Sequence, residues 1–103
     1  MKIPKEIKIG FKTYKVEIAE PDEGKLYLDG NLCYGTINYD DELIRLNSNY
    51  PNNINQTFIH ELIHGICEMQ SLDEINDNED YIDRLAKGIY QVIVDNNLKI
   101  KKK

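Results

Sequence analysis

Halfway along the chain the hydrophobic period changes, and that change leaves few folds open. Up to about residue 50, apolar residues recur at every second position. Ile7, Ile9 and Phe11 alternate with Glu6, Lys8 and Gly10, and Tyr14, Val16 and Ile18 with Lys15 and Glu17. Period two with β-branched and aromatic residues is the pattern of half-buried strands. From Asn53 onward the spacing becomes three and four, the period of amphipathic helices. Strands first and helices second predict an α+β fold, with a small antiparallel or mixed sheet packed on two helices. A chain of 103 residues has material for one core. The domain is expected to span 1–98, with 99–103 as a basic tail.

Turn chemistry divides the first half. Gly10 marks a bulge or turn between two short strands. Residues 21–24 (Pro-Asp-Glu-Gly) and Asp29-Gly30-Asn31 are turns, and residues 25–28 between them fit a strand or one helical turn. Residues 32–39 read as a strand interrupted at Gly35, joined through Asp40-Asp41 to a hairpin partner, Leu43–Asn47. The first helix is predicted over about 53–70. Asn53 serves as N-cap, Gln56 completes a capping-box-like pair, and Ile59, Leu62, Ile63, Ile66 and Met69 form the inward stripe. Residues 71–77 read as a polar loop. Asp77 or Asn78 caps a second helix over about 78–96, with Ile82, Leu85, Ala86, Ile89 and Ile93 buried.

The first helix carries the chemistry. It contains His60-Glu61-Leu62-Ile63-His64, which reads H-E-x-x-H, and these are the only two histidines in the chain. Residues four apart lie one turn apart on the same helix face, so both imidazoles can converge on one ion. Glu61, one step round, is placed to act on a water bound to that ion. A catalytic zinc takes three protein ligands and leaves a position open. With no third histidine, the remaining ligand is a carboxylate, a thiolate or nothing. Glu79, in the first turn of the second helix at the edge of its inward stripe, is the best candidate, because a carboxylate turned toward a core needs a compensating charge that a metal provides. Asp83, one turn on, is the alternative ligand or an outer acceptor for a histidine N–H. Cys67 follows His64 by one turn, but three ligands from one helix are cramped, and a buried free thiol is the expected state.

Bulk properties narrow the partners. A net charge of −5 opposes general nucleic-acid binding, which depends on neutralising phosphates. No run approaches the ~20 apolar residues of a membrane span. The N-terminus lacks the apolar core of a secretory signal. Cys33 and Cys67 therefore read as reduced thiols in a cytoplasmic protein.

The H-E-x-x-H helix followed by Glu79-Asp80-Tyr81-Ile82-Asp83-Arg84-Leu85-Ala86 resembles the ImmA/IrrE-type zinc metallopeptidases, which carry an E-x-x-A-N-x-F-A-like segment after the active helix. The likeness is to the small forms encoded by phages and mobile elements, of the minimal gluzincin kind, and covers roughly residues 35–96. Ile82 and Asp83 depart from that segment, replacing a small residue and an Asn. The resemblance implies a zincin-like fold, Zn2+ as cofactor, His60, His64 and Glu79 as ligands, and Glu61 as general base. It also implies that the strand at Leu43–Asn47 is a sheet edge holding an extended peptide, and that the substrate is a protein or peptide such as a regulator. Besides zinc, a tyrosine is expected at the oxyanion, with Tyr50 and Tyr81 as candidates. The competing expectation is a non-catalytic zinc-binding interaction module, which has no need of an acid between its histidines.

Overall fold

The computed structural model of the chain describes residues 1–22 and 24–98, so the tail at 99–103 lies outside it. The alternating segments form β1 (Glu6–Ile9) and β2 (Lys12–Ala19), joined by a tight turn in which Gly10 takes φ +62°. Only glycine adopts that conformation without steric cost. Phe11 rides on the same turn and is exposed rather than inward-facing. A small separate hairpin follows, β3 (Tyr27–Leu28) and β4 (Asn31–Leu32), turned by Asp29 and Gly30 at φ 52° and 79°. Asp-Gly is the usual dipeptide of such a two-residue turn. Then come β5 (Gly35–Asn38) and β6 (Leu43–Asn47). The strand expected over 32–39 is thus divided, with Leu32 in the small hairpin and Gly35 starting the main sheet.

The main sheet has the order β1-β2-β6-β5. β1 and β5 pair antiparallel with their neighbours, while β2 and β6 run parallel, Lys15 opposite Leu43. The sheet is mixed. Leu43–Asn47 is not an edge: β6 is flanked on both sides, and β5 is the free edge nearest the helices. Pairing accounts for the difference, because β6 has β2 on one side and β5 on the other, and Ile44, Leu46 and Asn47 are wholly shielded.

Helix α1 (Ile54–Met69) is preceded by a 3-10 turn, Pro51–Asn53. That turn replaces the expected capping box. Asn53 already has near-helical backbone angles, and its side chain makes no cap hydrogen bond. An N-cap side chain reaches the helix from an extended conformation, which Asn53 lacks. α1 buries two faces rather than one. Phe58, with Leu62 and Met69 alongside, packs on the sheet with Ile9, Tyr14, Ile44 and Leu46, whereas Ile59, Ile63 and Cys67 pack on Ile82 and Ala86 of α3 (Glu79–Asp95). Ile66, expected inward, is half exposed.

The layers are therefore sheet, α1, then α3. Residues 71–77 are not all loop, since Asp73–Asn76 forms a short helix, α2, whose first turn holds Asp73 and Glu74. Asn78 caps α3, accepting a hydrogen bond from Tyr81 N at 3.2 Å. Leu85 and Ile89, expected in the buried stripe of α3, are 47% and 42% exposed, because α1 covers only one flank of the helix. No helix among the described residues is long and apolar enough to cross a membrane.

Candidate metal centre

One turn of α1 and the first turn of α3 meet at the mouth of a cleft of about 780 Å³. His60 and His64 stack one turn apart, with ring centroids 5.0 Å apart. Glu79 reaches both rings. Its Oε2 lies 3.0 Å from His60 Nε2 and its Oε1 lies 2.8 Å from His64 Nε2. One ligand atom from each of these three residues falls within 4.8 Å of the others, and the group can hold a metal ion. Glu79 is not turned toward a core as its place in the stripe suggested; its side chain is 70% exposed. The approach is set by α3 crossing α1 at Ile82 and Ala86, which puts the first turn of α3 over the histidines.

Two neighbours orient the His64 ring, Asn76 directly and Tyr39 through Asn76. His64 Nδ1 is hydrogen-bonded to Asn76 Oδ1, and Asn76 Nδ2 donates to the Tyr39 hydroxyl at 3.2 Å. With the Asn76 amide nitrogen donating to Tyr39, its oxygen faces the ring and accepts from His64 Nδ1–H. That tautomer would leave the Nε2 lone pair to a metal ion. Neither Asn76 nor Tyr39 was anticipated from sequence. The only signal was the acidic pair Asp73-Glu74, which suits a helix N-terminus and places Asn76 at the end of the resulting turn.

Asp83 is not brought into the ligand group. Its Oδ1 lies 3.8 Å from His60 Nδ1, on the far side of the ring from Glu79, and its Oδ2 pairs with Lys87 Nζ at 3.0 Å. That is the place of an outer acceptor. Tyr50 and Tyr81 do not line the cleft; Tyr34 and Tyr39 do. Cys67 is buried and free, and Cys33 is free at the cleft wall.

Glu61 lies between the rings and β5, 7% exposed. Burial pushes its carboxyl up to about 8, with the nearby negative charge of Glu79 adding to the effect. Desolvation pushes His60 down, against the pull of Glu79, and so favours its neutral form, the one able to ligate a metal. Gly35 makes the close approach of β5 possible. A Cβ there would meet Thr57 Cγ2 at 2.5 Å and Glu61 Cγ at 3.5 Å. The start of β5 therefore rests directly on the helix turn that carries Glu61. Comparisons with protein-family models, curated proteins and solved structures find no match to the chain.

Proposed function

We propose that the chain is a zinc-dependent metallopeptidase of minimal, zincin-like form that hydrolyses a peptide bond in a protein substrate. The observation that carries this reading is Glu61, a carboxylate buried in the cleft wall beside a two-histidine, one-glutamate group. A purely structural metal site gains nothing from burying an acid at that position, and burial costs stability. Two imidazole nitrogens and one carboxylate are also the donor set that suits zinc, with room left for a reacting group.

When bound, zinc supplies a Lewis acid that activates water and polarises a carbonyl. The chain's own residues do the rest. With a bound cation holding its carboxyl ionised, Glu61 would take a proton from the attacking water and deliver it to the leaving amine, and its shielded position keeps that proton off bulk solvent. Asn76 and Tyr39 hold His64 in the ligating tautomer, and Asp83 faces the remaining nitrogen of His60. β5, the free sheet edge over Glu61, offers main-chain groups to an extended peptide, the role first expected of Leu43–Asn47.

Zinc titration and peptide hydrolysis test this. The purified protein is expected to bind one zinc, and His60→Ala or His64→Ala to abolish binding. Glu61→Gln is expected to keep zinc and lose about a hundredfold or more in hydrolysis rate. Equal hydrolysis by Glu61→Gln and wild type would end the reading.

A further inference from the structure

The wall facing the metal group is built from a segment that contributes little to the core. The β3–β4 hairpin exposes Leu28 (59%) and Leu32 (41%), and both line the cleft, as does Tyr34 just beyond (52%). From α3 the cleft is lined by Glu79, Asp83 and Lys87. The hairpin's part of the lining is thus apolar and that of α3 charged.

The hairpin is held in place rather than draped. Leu26 at its base is only 2% exposed and keeps φ +64°, a conformation that a branched residue holds only when its surroundings enforce it. Cys33 N donates to Leu26 O at 2.8 Å, closing the hairpin. The wholly buried Asn47 side chain donates to Cys33 O at 3.0 Å, fastening the hairpin to β6. Tyr34 packs on Tyr50 with ring centroids 4.3 Å apart. Exposed leucines on so anchored a scaffold form a fixed apolar surface, which costs little entropy to bind.

Position along β5 says what meets that surface. Asn47 N bonds Tyr34 O, so alternation along the antiparallel ladder turns the main-chain groups of Gly35 and Ile37 away from β6, toward the open edge. A peptide added there passes Glu61 at Gly35. Leu32 lies three residues earlier, within about 10 Å at strand rise.

We propose that the β3–β4 hairpin is the apolar subsite of this cleft. It receives a large aliphatic or aromatic side chain of an extended peptide, within about three residues of the bond held over Glu61. This rests on reading the site as a peptidase, and the test separates the two. Zinc-loaded wild type and a Leu28→Ser/Leu32→Ser double variant are incubated with a mixed peptide library, and cut sites are read by mass spectrometry. In parallel, zinc-loaded Glu61→Gln, with and without the same two substitutions, is titrated with fluorescent decapeptides carrying Leu or Ser at the candidate position.

Wild type is expected to favour Leu, Ile, Met or Phe at one fixed position. The double variant is expected to retain zinc and lose that preference, with kcat/KM for apolar peptides falling about tenfold, mostly through KM. Cleavage without apolar preference, or a preference the double variant keeps, overturns the subsite and leaves the peptidase reading standing. Binding that depends on the apolar residue without cleavage by wild type upholds the subsite and removes the peptidase reading. Neither cleavage nor binding overturns both.

Discussion

Glu61 occupies the part of the site least hospitable to charge, and its ionisation opposes folding when no metal balances it. In the unfolded chain its carboxyl ionises near 4.5, whereas in the folded protein it is pushed up to about 8. Between those values the unfolded state releases a proton that the folded state keeps. Stability of the metal-free protein from this group is therefore highest below about 4.5, falls as pH rises, and levels off above about 8. Glu61→Gln is expected to raise the melting temperature of metal-free protein clearly at pH 8 and little at pH 4.5. A second expectation concerns Asn76, which fixes the His64 tautomer. Asn76→Ala should weaken zinc about 10–100-fold by competition titration, whereas Asp83→Asn should do less, because 3.8 Å is long for a hydrogen bond. At this scale much was legible. His60, Glu61 and His64 follow from a spacing of one helical turn, and Glu79, once no third histidine is left, from its place in the first turn of the second helix. Asn76 and Tyr39 were not, because an amide and a phenol in loop-like sequence carry no periodic signal. They become neighbours of His64 only through tertiary packing.

Of the two long helices, α3 is the less covered. Tyr81, Leu85, Ile89 and Val92 run along its outer flank at helical spacing, each more than 40% exposed. Gly88 lies on that helix, and a Cβ there would meet nothing within 4 Å. Glycine in a helix interior costs about 1 kcal/mol relative to alanine. Gly88→Ala is expected to stabilise the protein by about 0.5–1 kcal/mol, read as a rise of a few degrees in thermal melting. Gly35 and Gly65 differ from it, since a Cβ at either would meet a neighbour closer than 3 Å, and alanine there should destabilise. Element types were legible because long periodic runs dominate the sequence. Exposure was not: periodicity located an apolar stripe on each helix, but could not say that α1 is covered on two faces and α3 on one. The edge was misassigned for a related reason. Strand order depends on β6 pairing with β2, some 28 positions away in sequence, and local pattern holds no record of it.

For the whole molecule, the site lies at the junction of three layers, with α1 shared between two clusters of buried residues. Glu79 on α3 and the histidines on α1 are joined across that junction by packing at Ile82 and Ala86 and by the metal group itself. An ion bound there ties α3 to α1, so zinc should stabilise the folded state by mass action, about 2.7 kcal/mol at a hundred times Kd. For a domain of this size that corresponds to a rise on the order of 10 °C in thermal melting, absent in His64→Ala. The parallel pairing of β2 with β6 has one more consequence. It leaves β3 and β4 inside a crossover whose two ends are fixed independently, by β2 on one side and by β5 on the other. Closure entropy grows slowly with the length of such a connection, about 0.6 kcal/mol for each doubling. The hairpin can therefore be lengthened, shortened or resequenced while the helices and their acid stay in register. On the proposed reading, the apolar subsite lies before residue 35 and the acid-bearing helix after residue 53, with the peptide-holding edge of β5 between them, so the hairpin can diversify without disturbing the helix.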